Sequence, residues 1–294
     1  MRILLTGASG MLGRAITRAM LSNHVEVIAY LHDSERAESY EADFPMVKVV
    51  KGDIADIAIH EEEIGDIDAC LHLAWSGTSN LDRLKEALQQ ANVEISKSVY
   101  ALARRLGAKY FFFAGSQAEY GRLGLKGPEK EDVVAPETAY GKAKAEFGEW
   151  LKKQAAIDGI RYVHGRIYSV YGPEDRPNSL LSLLAKAQKE KTVLKLGPCT
   201  QRWNFLFSED FGRLIYLSLI DNAFEGELNL ASPETKPLRE FVAQGFRGGY
   251  YRYSEINPNP EGLIDLYPDL TKLLSLAKGF AFTPFEEGVK SLVQ

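Results

Sequence analysis

The chain begins with a short apolar run, residues 2–6. It passes at once into Thr6-Gly7-Ala8-Ser9-Gly10-Met11-Leu12-Gly13, and then into an amphipathic stretch over 11–21. Three glycines between a strand and a helix leave the backbone few alternatives. Glycine permits the tight turn and lets another group approach the backbone closely. The N–H groups of the first helical turn then point outward, and the helix dipole adds positive potential there. A pyrophosphate fits such a turn. The spacing is Gly7, Gly10 and Gly13 rather than G-x-G-x-x-G, and glycine triplets also mark purely structural turns. Placement after a terminal strand and before an amphipathic helix is what makes Gly7, Ser9, Gly10, Met11, Leu12 and Gly13 candidate dinucleotide-binding residues.

The same alternation continues. Apolar runs at 2–6, 25–31, 47–51, 69–74, 110–114 and 162–167 are short enough for strands covered on both faces. Helical patterns lie between them at 11–21, 81–106 and 139–156. Strand–helix–strand alternation predicts an α/β fold of the Rossmann type, a doubly wound parallel sheet. In 81–106 the apolar positions Leu81, Leu84, Leu88, Ala91, Ile95, Val99, Leu102 and Leu106 form one stripe. After Gly172-Pro173 the pattern loosens into short helices (180–189, 210–219, 238–244) and short strands (192–196, 204–207, 227–230). We therefore expect a dinucleotide-binding domain over 1–172. A smaller α/β substrate lobe is expected over 173–294, with some of its segments returning to the first domain.

Bulk properties exclude several functions. With 294 residues, a net charge of -5 and no Lys/Arg block, binding to nucleic acid or an anionic membrane through bulk charge is not expected. Cys70 and Cys199 have no metal or redox spacing, and the five histidines form no metal motif, so no metal site is expected. No apolar stretch is long enough to span a membrane and no signal-peptide pattern precedes the first strand, which gives a cytoplasmic expectation.

The second strand ends in Ala29-Tyr30-Leu31-His32-Asp33. An acid at such a strand tip binds the ribose 2′-hydroxyl of NAD, whereas a basic group accommodates the 2′-phosphate of NADP. Leu31 stands where the acid is expected. His32 and Arg14 can reach a phosphate, and Asp33 lies close by. The balance favours NADP(H), with NAD(H) possible.

Tyr140 and Lys144 lie four residues apart in a predicted helix, so they share one face. A phenol is mostly protonated at neutral pH, and a neighbouring ammonium favours its ionised form. Tyr140 can therefore give a proton to a carbonyl oxygen during reduction or take one from an alcohol during oxidation. Lys144 can also hold the nicotinamide ribose. Ser116 follows the 110–114 run, at the carboxyl end of a strand where open α/β sheets bind ligands. Its hydroxyl can hydrogen-bond the substrate oxygen. Ser116, Tyr140 and Lys144 are the candidate catalytic residues, and the chemistry they suggest is hydride exchange at an alcohol or ketone.

With these motifs in place the chain resembles the extended short-chain dehydrogenase/reductase family, the sugar-nucleotide epimerase/dehydratase group. The resemblance runs through the Thr6–Gly13 turn, Gly52-Asp53-Ile54-Ala55-Asp56, His72-Leu73-Ala74, Asn92-Val93, Ser116 and the Tyr140/Lys144 pair. It continues in Arg166-Ile167-Tyr168-Ser169-Val170-Tyr171-Gly172-Pro173 and in Asn204-Phe205 with Asp210. It implies that Asp53 and Ile54 flank the adenine and that Ala74 borders the cofactor. Tyr168 and Ser169 would line the nicotinamide and substrate, whereas His72 reads better as a core residue. It also implies a homodimer through the 81–106 and 139–156 helices.

Departures from the family pattern narrow the activity. Where 4,6-dehydratases carry Thr-Asp-Glu, this chain has Ser116-Gln117-Ala118, which lacks the acidic pair needed to eliminate water. Where many relatives have an arginine for the sugar-nucleotide diphosphate, this chain reads Arg202-Trp203-Asn204-Phe205, and a second such arginine is missing near Asn259. Gln117, Ser169, Arg176, Arg202, Trp203 and Asn204 are the candidate substrate-binding residues, with Arg247 and Arg252 as further cations. The expected activity is NAD(P)H-dependent reduction of a keto group, at C4, on a nucleotide-activated deoxy sugar. The alternatives are a nucleotide-sugar 4-epimerase, a reductase of a non-sugar aldehyde or ketone, and a nucleotide sensor without turnover.

Overall fold

The computed structural model describes residues 1–32, 35–255 and 264–293. Its centre is a seven-stranded, all-parallel sheet. The strands are β1 (Arg2–Thr6), β2 (Glu26–Leu31), β3 (Lys48–Lys51), β4 (Ala69–His72), β5 (Tyr110–Ser116), β6 (Arg161–Ile167) and, much later in the chain, β10 (Gly226–Leu230). The order β10-β6-β5-β4-β1-β2-β3 reverses direction between β4 and β1, which opens a crevice at the carboxyl ends of those two strands. Between the strands run α1 (Met11–Ser22), α2 (Glu35–Asp43), α3 (Glu61–Ile64), α4 (Glu86–Arg105) and α5 (Ala139–Asp158). The expected α/β doubly wound fold is the fold of this chain.

The two faces of the sheet follow directly from the period-two alternation of its strands. Ile3, Leu5, Val27, Ala29, Leu71, Phe112 and Val163 point to one side and form a core with Ile16 and Met20 of α1. Leu4, Ile28, Cys70, Phe111 and Phe113 point to the other and meet Val93, Val99, Phe147 and Leu151 of α4 and α5. Cys70 belongs to this second core, and burial pushes its thiol well above the usual value.

The remaining chain contains β7 (Ser169–Tyr171), α6 (Leu180–Glu190), β8 (Leu194–Leu196), β9 (Arg202–Phe207) and α7 (Ser208–Ile220). After β10 follow β11 (Thr235–Pro237), α8 (Leu238–Gly245), β12 (Tyr251–Tyr253), α9 (Thr271–Leu276) and α10 (Phe285–Val293). β7, β9 and β11 form one small sheet, and β8 and β12 another. A third core of Tyr171, Leu184, Phe205, Phe241 and Phe285 holds this region together. Several segments leave it, among them α9 through its Leu273. β10 extends the main sheet beside β6. Phe211, Leu214 and Ile215 of α7 join the core on the α1 face.

The fourth helix differs from the sequence expectation. It begins at Glu86 rather than 81, because residues 82–84 form a separate 3-10 turn and Lys85 is extended, with φ -82° and ψ 96°. Leu81 and Leu84 are therefore exposed, at 77% and 55%. The buried face of α4 is Gln89, Asn92, Val93, Ser96, Val99, Tyr100, Leu102 and Ala103, which only partly follows the predicted stripe. Polar side chains occupy that face because they brace the loop after β4. Gln89 accepts from the Trp75 indole at 2.8 Å, and Asn92 bonds the backbone of Ser76 at 2.9 and 3.0 Å. The short α2 carries no helical signal in the sequence. Among its described side chains only Ala37 and Tyr40 reach the core, too few to make a stripe.

Candidate active site

The glycine turn is built by close contact with the end of β4. Gly7 has φ +73°, and a Cβ there would lie 2.8 Å from the backbone nitrogen of Ala74. Thr6 fixes this approach. Its hydroxyl accepts from the N–H groups of Leu73 and Ala74 and bonds His72 Nδ1 at 2.8 Å. The other His72 nitrogen meets Ser96 at 2.9 Å. Burial, with a smaller contribution from Lys144, pushes His72 down to about 3, so the imidazole is a neutral strut of the core.

Gly13 packs directly under the turn, where a Cβ would fall 2.5 Å from both Ala8 Cα and the Gly7 carbonyl. Gly10 is different. A Cβ there would meet nothing closer than the Gly7 carbonyl oxygen at 3.7 Å, so protein packing does not require a glycine. The space that side chain would fill lies at the N-terminus of α1, whose N-cap carries no side-chain hydrogen bond. Open space beside unshared N–H groups fits a pyrophosphate. Gly13→Ala is expected to force the turn apart, weakening cofactor binding at least ~10-fold and stability by about 1–3 kcal/mol. Calorimetric titration with NADH and thermal melting would measure the two effects.

The other predicted cofactor residues lie along the same edge of the sheet. His32 follows β2 and is exposed. Asp53 and Ile54 follow β3, with Asp53 capping a 3-10 turn by accepting from Ala55 N at 2.9 Å. Ala74 follows β4. Asp33 and Asn259 lie outside the described residues.

Arg14 requires a correction. Its guanidinium is buried and already committed to the Ser9 carbonyl at 3.2 Å, the Ser39 hydroxyl at 3.0 Å and the Asp43 carboxylate. It clamps the glycine turn to α2 and is not available for a 2′-phosphate. Tyr168 also differs from expectation. Its ring is buried among core residues and its hydroxyl donates to Glu129 at 2.7 Å. Glu129 is itself buried, and burial pushes its carboxyl up to about 7 despite the Tyr168 hydrogen bond.

Ser116, Tyr140 and Lys144 come together. Ser116 is the last residue of β5 rather than part of the following loop, so the sheet itself positions its hydroxyl. Tyr140 and Lys144 stand in the first turns of α5, capped by Thr138, whose side chain accepts from Gly141 N. Gly141 permits a close approach here, since a Cβ would lie 2.3 Å from the Ala118 carbonyl oxygen. The Ser116 hydroxyl lies close enough to the Tyr140 phenol to favour its ionised form. Lys144 Nζ donates to the Ala114 carbonyl at 2.7 Å and sits 3.6 Å from the centre of the Trp75 ring. All three side chains are buried.

The electrostatics of this slot also differ from the simple Tyr–Lys expectation. Burial raises the Tyr140 phenol above its usual value. Arg83, the Ser116 hydroxyl and Arg176 work against that rise, and Glu119 adds to it. Burial pulls the Lys144 ammonium well below its usual value, and Glu119 opposes that shift. Lys144 Nζ lies 5.7 Å from the Tyr140 ring centre, whereas the Arg83 guanidinium carbon lies 4.7 Å from it. The larger cationic influence on the phenol comes from the loop after β4. Neither Arg83 nor Trp75 belongs to a motif that would single it out in the sequence.

Beneath the site lies a fully buried carboxylate. Glu119 accepts from Ser116 N at 2.8 Å, His164 Nε2 lies 3.0 Å away and Arg166 Nε donates at 2.8 Å. Burial alone would raise Glu119, but His164, Arg166 and the Ser116 amide together hold it below the usual carboxylate range. Among the described residues no cluster of His, Cys, Asp and Glu could hold a metal ion.

A cavity of about 290 Å³ is lined by Arg83, Gln117, Ala118, Arg122, Glu137 and Thr138 among others, and its Arg83 also lies against the Tyr140 ring. Gln117 thus faces a ligand-sized space. Ser169 is half-buried at the start of β7, and Arg176 is exposed yet close enough to influence Tyr140. The predicted substrate residues of β9 are otherwise engaged. Asn204 is wholly buried, with its amide bonded to Ser232, Glu234 and Thr235, so it shapes a turn instead of facing a ligand. Arg202 is held by Asp265 at 2.8 Å and by the Gly124 carbonyl at 2.9 Å. Trp203 is partly buried between two cores. Arg247 pairs with Glu286, far along the chain in α10.

Residues 3–231 match the NAD dependent epimerase/dehydratase family. The chain belongs to that family. It is accordingly an NAD(P)-dependent enzyme of the oxidoreductase type, and the extended short-chain dehydrogenase/reductase resemblance holds. Among curated relatives, this family member is 26% identical over 257 residues to a dTDP-6-deoxy-L-talose 4-dehydrogenase (NAD(+)) of Aggregatibacter actinomycetemcomitans, covering 83% of this chain and 90% of that one. Among solved structures it is similar to a UDP-N-acetylglucosamine 4-epimerase of Methanobrevibacter ruminantium M1 in complex with UDP-N-acetylmuramic acid. The TM-score is 0.86 at 20% identity, over 99% of this chain and 96% of that one. It is also similar to the UDP-glucose 4-epimerase of Thermus thermophilus in complex with NAD, with a TM-score of 0.83 at 21% identity, over 100% and 98% of the two chains. At these identities the two structures establish the fold that this family member shares. No helix among its described residues is long and apolar enough to cross a membrane.

Proposed function

We propose that this protein reduces a keto group, at C4, on a nucleotide-activated deoxy sugar, with Tyr140 as the proton donor. The observation that carries this reading is the approach of Tyr140 to Ser116 at the end of β5, next to residues Gln117, Thr138 and Arg83 that line a cavity. Bound at the glycine turn, a nicotinamide cofactor would supply or accept the hydride. Gly7, Gly10, Met11 and Leu12 would hold its pyrophosphate, and Asp53 and Ile54 its adenine end. Ser116 orients the substrate oxygen, and Tyr140 delivers a proton to it as the carbonyl becomes an alcohol. In the reverse direction the same phenol accepts the proton. The 4-dehydrogenase activity named for the curated relative supports a C4 position and a deoxy-sugar nucleotide.

The cofactor reading moves from NADP(H) towards NAD(H). Of the two basic residues that would favour a 2′-phosphate, His32 and Arg14, the second is spent on Asp43, Ser39 and Ser9. The curated relative is named for NAD(+). For the substrate diphosphate, Arg202 is tied to Asp265, which leaves the exposed Arg176 as the better-placed cation. A homodimer through the outward faces of α4 and α5, where Ala87, Ala91 and Ile157 are exposed, is part of the same reading and is checked by light scattering.

The test is incubation of cofactor-stripped protein with NADH or NADPH and a 4-keto-6-deoxy sugar nucleotide. Net consumption of NADH, with alcohol formed at C4, is the expected result. Interconversion of C4 epimers without net cofactor consumption, by protein that resists stripping, would make it a 4-epimerase instead.

A further inference from the structure

We propose that Arg83 is a positioning residue for the reaction, whose guanidinium stabilises the ionised form of Tyr140 and so sets the pH at which that phenol gives and takes its proton. This inference rests on the reading of Tyr140 as the acid and base. It goes beyond that reading by assigning the electrostatic work to a residue outside α5 and outside the Tyr–Lys motif.

The geometry is specific. Arg83 stands in the 3-10 turn 82–84, in the loop between β4 and α4. Its Nε donates to the Thr78 carbonyl at 3.1 Å, which fixes the plane of the guanidinium. Its Cζ then lies 4.7 Å from the centre of the Tyr140 ring, at the wall of the cavity. A cation held over an aromatic face is attracted by the neutral ring, and far more by a phenolate.

The other charged groups around Tyr140 do not replace it. Lys144 lies 5.7 Å from the ring centre, bonded to Ala114 and stacked on Trp75. Glu119 lies behind Ser116, engaged with His164 and Arg166, and opposes ionisation of the phenol. Arg176 acts in the same direction as Arg83 but is the weaker of the two. The charges next to Arg83 are also accounted for. Asp82 turns to Lys85 at 2.7 Å, and Glu137 pairs with Arg122 at 3.3 Å across the cavity. No carboxylate neutralises the guanidinium at the phenol in these contacts.

Burial disfavours the ionised phenol, and a cation at its face opposes that effect. Desolvation is the largest influence on both Tyr140 and Lys144, raising the first and lowering the second. Burial weakens the hold of Lys144 on its proton. A guanidinium remains charged in the same surroundings.

The experiment uses the NAD+-saturated protein with ring-labelled (13Cζ) tyrosine, followed by NMR across the pH range in which the fold is stable. The Tyr140 resonance is assigned by its loss in Tyr140→Phe. In Arg83→Met the titration midpoint of Tyr140 should rise by about one to two pH units, and Arg83→Lys should fall between the two. Arg83 is half-exposed on a loop, so these variants should keep the fold, which thermal melting verifies. An unchanged midpoint in Arg83→Met, or a Tyr140 resonance that titrates in neither protein, overturns the proposal. So does an unchanged midpoint accompanied by a raised KM alone, which would make Arg83 a substrate contact. Turnover of Tyr140→Phe separates the two failures. If that variant stays active with NADH and the 4-keto sugar nucleotide, the functional reading itself falls. If it is inactive and the midpoint is unmoved, only the role of Arg83 falls.

Discussion

Tyr140→Phe should lower turnover by about 10²–10⁴-fold while leaving NADH affinity within a factor of about two. The substitution removes one oxygen from a ring that otherwise packs unchanged, edge-on to Trp75 at 6.2 Å between centroids. The glycine turn and the residues after β2 and β3 are untouched, so the nucleotide should still bind. Loss of the NADH absorbance in the presence of a 4-keto sugar nucleotide measures turnover, and calorimetric titration measures binding. A variant that consumed NADH at the wild-type rate would remove Tyr140 from the chemistry. Ser116→Ala should cost less, because Ser116 supplies one hydrogen bond to the same oxygen and no proton.

Glu119→Gln should destabilise the fold by about 3–5 kcal/mol, the cost of leaving a buried charge unpaired. The charge left behind is Arg166, which is 5% exposed and donates its Nε to Glu119 and a terminal nitrogen to the Tyr120 hydroxyl at 3.1 Å. In a chain of this size that amounts to about 10 °C in melting temperature. The double replacement Glu119→Leu with Arg166→Met should cost clearly less than the sum of the two singles, since it removes both charges together.

The pH dependence has a definite sign. Glu119 is held below the usual carboxylate range in the folded protein, so the unfolded chain binds more protons between the two pKa values. Its contribution is present above the ordinary carboxylate pKa and is lost as the pH falls through the folded value. The stability gap between wild type and Glu119→Gln should therefore be constant near neutrality and close in acid. A gap that widened in acid would contradict the assignment. Because Glu119 also receives the Ser116 amide at 2.8 Å, the variant ties stability to the position of a candidate catalytic hydroxyl.

Gly13 and Gly10 show how much a sequence can say about a site. The turn was legible because its chemistry is local: a strand, three glycines and a helix meet within a dozen residues, and no distant group is needed to close it. Tyr140 and Lys144 were legible for the same reason, since their four-residue spacing on one helix is fixed by backbone geometry. The alternating runs of β1 to β6 likewise determined a parallel sheet, because strands buried on both faces must be apolar along their length.

Only the tertiary structure decided which of the remaining polar residues are free to act. Arg14, Arg202 and Asn204 have the right chemistry for ligands, but their partners, Asp43, Asp265 and Ser232, are brought to them by folding. Arg83 carries no motif, and it reaches Tyr140 because a 3-10 turn shortens α4 and tips the loop over the ring. The same folding draws β10 and α7 back to the main sheet, where the sequence pattern had loosened. Backbone periodicity is a property of neighbouring residues and can be read along the chain. Burial, pairing and pKa depend on groups far apart in the chain, and they exist only once the sheet has brought those groups together.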